Sequence, residues 1–239
     1  MKRRTLAQTV SKSLRAVLST APNTWYDQWK NRNRILTQDR SEYLDLEAEY
    51  SDHELLIGGS EIMQDWERPL MRALAEEAAS SGGHILEVGF GMGISANFLI
   101  QAGCSRYTVI EPHKAVLDQF RKWAQGQPVP VEAVEGFWED VIDGLGLFDG
   151  ILFDTYPVSS SDRERKAYLP FIQKASEHLK PGGVFTFYTG YAETLPPEHM
   201  DLLKRFFSQL RTYHVDGLKP PRSCQYWHES RMVVPVCVK

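Results

Sequence analysis

The stretch His84-Ile-Leu-Glu-Val-Gly-Phe-Gly-Met-Gly93 decides the fold. Its apolar run, Ile85, Leu86 and Val88, ends in glycines at 89, 91 and 93, and an amphipathic segment (Ile94, Ala96, Phe98, Leu99) follows and stops at Gly103. A short apolar run, a glycine turn and a 3.6-residue period read as buried strand, tight turn and helix. Glycines let a backbone approach a ligand closely, and a helix N-terminus presents unpaired N–H groups with partial positive charge. Glu111 lies 20 residues beyond Gly91, after a second apolar run, Tyr107 to Ile110. An open α/β sheet places there the carboxylate that grips a ribose diol. The stretch is therefore expected to bind an adenosine-containing cofactor.

Outward from this centre the chain alternates. Upstream, Ile62 to Ala79 reads as a helix with Pro69 as a break or a first-turn proline, and Ser80-Ser-Gly-Gly83 ends it. Residues 21–60 read as irregular and aromatic-rich (Trp25, Tyr26, Trp29, Tyr43, Tyr50). Downstream, strands are expected at 107–111, 131–135, 150–153 and 184–188, helices at 113–124, 164–179 and 201–210, and two closing strands in 211–239. Strands alternating with helices predict an α/β fold, a doubly wound Rossmann-like sheet with right-handed crossovers. Residues 1–60 are expected to form an N-terminal helical arm or lid, with an apolar stripe of Leu6, Val10, Leu14, Val17 and Leu18, and residues 61–239 the single domain. A surface helix, a lid and a transit peptide compete as readings of that arm.

Composition narrows the classes. With 239 residues, 42% apolar and 24% charged, the chain can bury one full core. Residues 1–40 carry a net charge of +7 and the remainder −11, so a basic arm precedes an acidic body. An acidic body suits a cationic substrate better than nucleic acid. Three cysteines without paired spacing point to a reducing, cytoplasmic compartment, and seven histidines without ligand spacing to no metal. No apolar run approaches a membrane span.

The cofactor has two candidates. Gly91-Met-Gly-Ile-Ser-Ala96 formally satisfies a dinucleotide fingerprint, so a nicotinamide-dependent oxidoreductase is one reading. Against it, Glu87 stands at the end of the first strand, which a cationic, amino-acid-bearing cofactor needs and hydride transfer does not. The Gly-x-Gly-x-Gly spacing, Asp154 after the fourth strand and Lys180-Pro-Gly-Gly183 before the fifth complete a pattern that resembles a class I S-adenosylmethionine-dependent methyltransferase with a seven-stranded sheet.

Further stretches narrow the likeness. Met63-Gln-Asp-Trp-Glu67-Arg-Pro-Leu-Met71, Gly136-Phe-Trp-Glu-Asp140, Phe148 to Pro157 (ending Asp154-Thr-Tyr-Pro), and the closing Cys224-Gln-Tyr-Trp and Met232-Val-Val-Pro are similar to guanidinoacetate N-methyltransferase over residues 60–239. The resemblance implies that Glu67 and Asp154 hold the guanidino group. It places Met71, Glu87, Gly89, Phe90, Gly91, Met92, Gly93, Ile94, Ser95, Glu111, Pro112, His113, Trp138, Glu139 and Asp154 around S-adenosylmethionine, and Met63 against substrate. After the fifth strand, where the family carries an Asn-Leu-Thr-Ser-like run near the substrate carboxylate, this chain reads Tyr188-Thr189-Gly190-Tyr191, closer to the arginine δ-N-methyltransferases.

The expectation is a methyltransferase acting on a small guanidino compound, with free arginine as the alternative substrate and no nucleic-acid or membrane partner; a homodimer is left open. A cofactor-binding interaction protein without catalysis is a third reading. The chemistry favours the first. Guanidinium and sulfonium are both cations and repel by about 4 kcal/mol at about 4 Å and an effective dielectric of about 20. Two carboxylates offset that repulsion and fix the planar fork, and Asp154 at the sheet edge is the expected acceptor of the proton lost on methylation.

Overall fold

The computed structural model describes residues 40–158 and 168–239. The apolar stripe of the arm, Trp25, Tyr26, Trp29 and the start of the expected helix at 164–179 lie outside these residues. The described residues belong to one compact unit, Ile35–Lys239.

Seven strands build the main sheet: β4 (His84–Val88), β5 (Arg106–Glu111), β6 (Val131–Glu135), β7 (Phe148–Phe153), β8 (Leu179–Phe187), β9 (Gln209–Asp216) and β10 (Arg231–Val238). Their spatial order is β6-β5-β4-β7-β8-β10-β9, parallel except for β10, which runs antiparallel to both neighbours. The order reverses beside β4, at the switch point where open α/β sheets bind ligands.

One face of the sheet is covered by α2 (Arg68–Ala78), α3 (Ile94–Gln101) and α4 (Lys114–Ala124), whose Leu70, Leu74, Leu99 and Phe120 join Ile85, Val109 and Leu152 in one apolar cluster. The other face packs α6 (Tyr168–His178) and α7 (Pro197–Phe206) through Phe171, Ile172 and Leu203 on Leu86, Ile151 and Phe185. The central strands are buried on both sides, which is why they read as unbroken apolar runs. Short α5 (Trp138–Val141) follows β6.

Three expectations need correcting. Residues 48–64 are not irregular followed by helix. After α1 (Arg40–Leu44) they form a three-stranded antiparallel sheet, β1 (Ala48–Tyr50), β2 (Glu54–Ile57) and β3 (Ser60–Gln64). The helix begins only at Arg68, after a 3-10 turn at Asp65–Glu67, with Pro69 in its first turn, where a missing N–H costs nothing. The expected helix at 201–210 sits at Pro197–Phe206, again opened by a proline, and Leu210 belongs to β9 opposite Cys237. Finally, Lys180-Pro-Gly-Gly183 interrupts β8 rather than preceding it, because Leu179 pairs Phe148 and Val184 pairs Gly150. Lys180 Nζ donates to Asp149 at 2.7 Å and the His84 N–H to the same carboxylate at 2.7 Å, so this insert ties β8, β7 and β4 at their N-terminal ends.

Candidate active site

Four carboxyl groups crowd the carboxyl ends of β4, β5 and β7 and the turn before α2: Glu87, Glu111, Asp154 and Glu67. Among the described residues, no Lys or Arg forms an ion pair with any of them.

Glu87 has no exposed surface, and its two oxygens accept from the Ser95 and Tyr107 hydroxyls. It ties the first turn of α3 to β4 and β5. Desolvation raises it to about 8, against the pull of those two donors. The structure therefore gives it a buried, field-setting position rather than an open contact surface. Glu111 accepts the Phe90 N–H at 3.0 Å and the His113 N–H at 2.9 Å, one on each oxygen, and burial raises it to about 7. Each oxygen keeps a lone pair for a diol.

Glu67 is 3% exposed, yet its hydrogen bonds are one-sided. Oε1 accepts both the Gln64 N–H at 2.8 Å and the Tyr226 hydroxyl at 2.5 Å. Gln64 is itself locked, donating to Glu54 and accepting from the Trp66 indole, both at 2.9 Å, while the Trp66 ring lies 5.8 Å from that of Tyr226. Oε2 is left with no partner among the described residues. Asp154, half-buried at the end of β7, likewise spends only its backbone N–H, on Val88 O at 3.0 Å. Burial raises both carboxyls, and the charge of Asp154 raises Glu67 further.

The other expected residues divide. Gly89, Gly91 and Gly93 hold φ of +91°, +54° and +69°. Their missing side chains make room for the protein itself: a Cβ would meet Asp154 O at 2.1 Å, Met63 Sδ at 2.8 Å and the Phe90 ring at 2.8 Å respectively. Met63 lies on the turn, its sulfur accepting the Met92 N–H at 3.3 Å, and the Tyr50 hydroxyl donates to Gly91 O at 3.1 Å, so β1 and β3 grip the turn from above. Phe90 turns into the core against Phe120 and Trp123, Ile94 and Ser95 are buried, and Met71 is sealed with no exposed surface. Pro112 is half-buried, and Trp138 sets its edge on Phe153 and Phe171 while keeping part of its surface. Glu139 pairs with Arg40. Thr189 is taken up by packing, donating to Val233 O at 2.9 Å and accepting from the Tyr191 N–H at 3.3 Å. Gly190 turns at φ +64°, and Tyr191 packs on His199. Tyr226 and Tyr188 instead border the acid pair; in the sequence Tyr188 only heads the Tyr188-Thr-Gly-Tyr191 run, and the only signal for Tyr226 is its place in Cys224-Gln-Tyr-Trp.

These residues fit a cationic nucleoside cofactor on two observations. The four carboxyl groups have no Lys or Arg ion-pair partner among the described residues, so a cation is what would favour their ionised form, and the His113 imidazole, 2% exposed beside Glu111, leaves Nδ1 buried without a partner. The sheet, with its antiparallel penultimate strand and acid-lined switch point, is that of a class I S-adenosylmethionine-dependent methyltransferase. The chain matches the guanidinoacetate N-methyltransferase family over residues 37–239 and belongs to it. Its cofactor is S-adenosylmethionine. Protein arginine N-methyltransferase 2 of Eremothecium gossypii is 31% identical over 159 residues, 62% of this chain but 37% of that protein, so the chain spans well under half its length. Spermidine synthase in complex with a transition-state analogue shares the fold with a TM-score of 0.58 at 14% identity, over 80% of this chain and 72% of that one. The O-methyltransferase from Bacillus cereus does so with 0.51 at 13% identity, over 95% and 96%.

Proposed function

We propose that this N-methyltransferase acts on the guanidino group of a small guanidino compound. The observation that carries the proposal is the pair of carboxyl groups with open oxygens, buried Glu67 (Oε2) and half-buried Asp154, with which no Lys or Arg among the described residues forms an ion pair. A carboxylate in such surroundings gains most from a ligand that brings positive charge and N–H donors together, and a planar guanidinium brings both.

The residues divide the work. When bound, S-adenosylmethionine supplies an electrophilic methyl group on a cationic sulfur. Glu111 is suited to the ribose hydroxyls, with the Phe90 and His113 N–H groups fixing its orientation. Glu67, held on Oε1 by Gln64 and Tyr226, presents Oε2 to one edge of the guanidinium. Asp154 holds the nitrogen that accepts the methyl and takes the proton that nitrogen loses, since its raised affinity for protons suits it to that task. Glu87, raised to about 8 by burial, lies beneath the turn as a group that a nearby cation would draw toward its ionised form.

Arginine is the second substrate reading, favoured by the relative from Eremothecium gossypii, which is named a protein arginine N-methyltransferase. One assay separates these: methyl transfer to guanidinoacetate, free arginine, agmatine and an arginine-containing peptide. Turnover of the small compounds is the expected result. Turnover of the peptide alone would move the assignment to protein arginine, and none with any guanidino compound would remove it.

A further inference from the structure

We infer that the Tyr188 hydroxyl is a third polar contact to the guanidino substrate and orients its plane between the two carboxylates. This rests on the guanidino reading and extends it to a residue outside the acid pair.

Tyr188 follows directly on β8, as Asp154 follows on β7. The register pairs Phe153 with Phe187, and the Tyr188 N–H donates to Phe153 O at 3.0 Å, so Asp154 and Tyr188 are the next pair across the two strand ends. Side chains alternate between faces along a strand. Phe153 and Phe187 enter the cluster under α6 and α7, which turns Asp154 and Tyr188 to the opposite face. There Tyr188 and Tyr226 both pack against the cluster that contains Met63, Trp66 and Cys224. Burial first, and then the neighbouring Glu67 and Asp154, hold the phenol far above its ordinary range, so Tyr188 is neutral at any working pH.

Its hydroxyl makes no hydrogen bond to any described residue, unlike that of Tyr226, which is spent on Glu67. Polar groups away from bulk water are satisfied as a rule, and a hydroxyl left free on a half-buried side chain near Glu67 and Asp154 is open to a ligand that those carboxyls hold. A neutral hydroxyl offers there what carboxylates do not. It accepts an N–H without adding a third negative charge, and a guanidinium whose two edges are taken by Glu67 and Asp154 has N–H groups left to give. Tyr188 thereby selects for a planar donor in one orientation over an ammonium ion, which presents no fixed plane.

The test is Tyr188→Phe in the full chain, which keeps the ring and removes the oxygen. With the best guanidino substrate of the parent, KM is expected to rise by about tenfold or more, the range of a hydrogen bond to a charged group. Affinity for S-adenosylhomocysteine, measured calorimetrically, is expected to stay within about twofold, and that control also reports on folding. Tyr188→Leu, which removes the ring as well, is expected to raise KM at least as far. An active parent whose Tyr188→Phe variant keeps KM and kcat within about twofold would overturn this inference and leave the guanidino reading standing. A parent that methylates no guanidino compound would overturn both.

Discussion

At the scale of single residues, the candidate site turns on which oxygen of Glu67 is occupied. Tyr226 and Gln64 both bind Oε1, so Glu67→Gln, which keeps the shape, removes the charge offered by Oε2 and forces an amide into a site built for a carboxylate. Losing one partner of a buried, hydrogen-bonded charge pair costs roughly 2–5 kcal/mol. Substrate affinity is therefore expected to fall between about 30-fold and several thousand-fold. Asp154→Asn is expected to cost affinity similarly and also to slow the chemical step, because the proton acceptor is gone. Single-turnover methyl transfer at saturating substrate separates the two: a near-parental rate with Asp154→Asn removes that residue as base, and near-parental affinity with Glu67→Gln returns that residue to a capping role. The acid pair was legible in the sequence only through the combination of motifs. Glu67 beside Arg68 on a helix reads alone as a surface ion pair, and what distinguishes it, the one-sided clamp from Tyr226, comes from a residue 159 positions away.

At the scale of elements, strand–turn–helix at 84–101 was readable because a buried parallel strand and its helix announce themselves by apolar period. The small sheet at 48–64 was not, since its strands are three to five residues long and carry Glu49, Glu54 and Glu61 on partly or fully exposed positions. Met63 and Trp66 kept helical spacing with Leu70 by coincidence, while the chain there changes from strand to 3-10 turn to helix. The structure adds a packing constraint on the glycine turn that the sequence does not show. Gly89 sits against the backbone of Asp154, which cannot retreat, whereas Gly91 sits against the flexible end of Met63. Gly89→Ala is thus expected to destabilise the fold well beyond the roughly 1–3 kcal/mol of an unfavourable φ alone and to displace Asp154. Gly91→Ala is expected to cost no more than about that strain, with cofactor binding retained. Urea denaturation of both variants checks the order, and equal losses would mean the Asp154 loop yields as easily as a methionine side chain.

At the scale of the whole molecule, three buried carboxyl groups and half-buried Asp154, none with a Lys or Arg partner among the described residues, couple stability to pH in an unusual direction. Glu87 at about 8 and Glu111 at about 7, with Glu67 and Asp154 also raised, bind protons in the folded chain at pH values where the unfolded chain has released them. Stability then falls as pH rises through that window. His84 and His113, both lowered by burial, work the other way, but only up to about 6.5, above which they are neutral in both states. Asp149, Glu132 and Asp143 are lowered and lose their contribution only in acid. His53, raised by Asp65, acts in the same direction as the carboxyls but is fully exposed, where such a pair contributes little. The ligand-free chain is therefore expected to lose melting temperature between about pH 6.5 and 8. Glu87→Gln, which no longer titrates, is expected to flatten that loss. A cation bound among ionised carboxylates lowers their proton affinity, so the stabilisation by S-adenosylmethionine is expected to grow over the same interval, and that by S-adenosylhomocysteine, which lacks the sulfonium charge, to grow less. Thermal melts at half-unit steps with each ligand and with neither measure all of this. A ligand-free melting temperature that climbs steadily from pH 6.5 to 8 would mean the four carboxyls are ionised in the folded chain, and the charge they reserve for a cationic ligand would have to be neutralised by some other group.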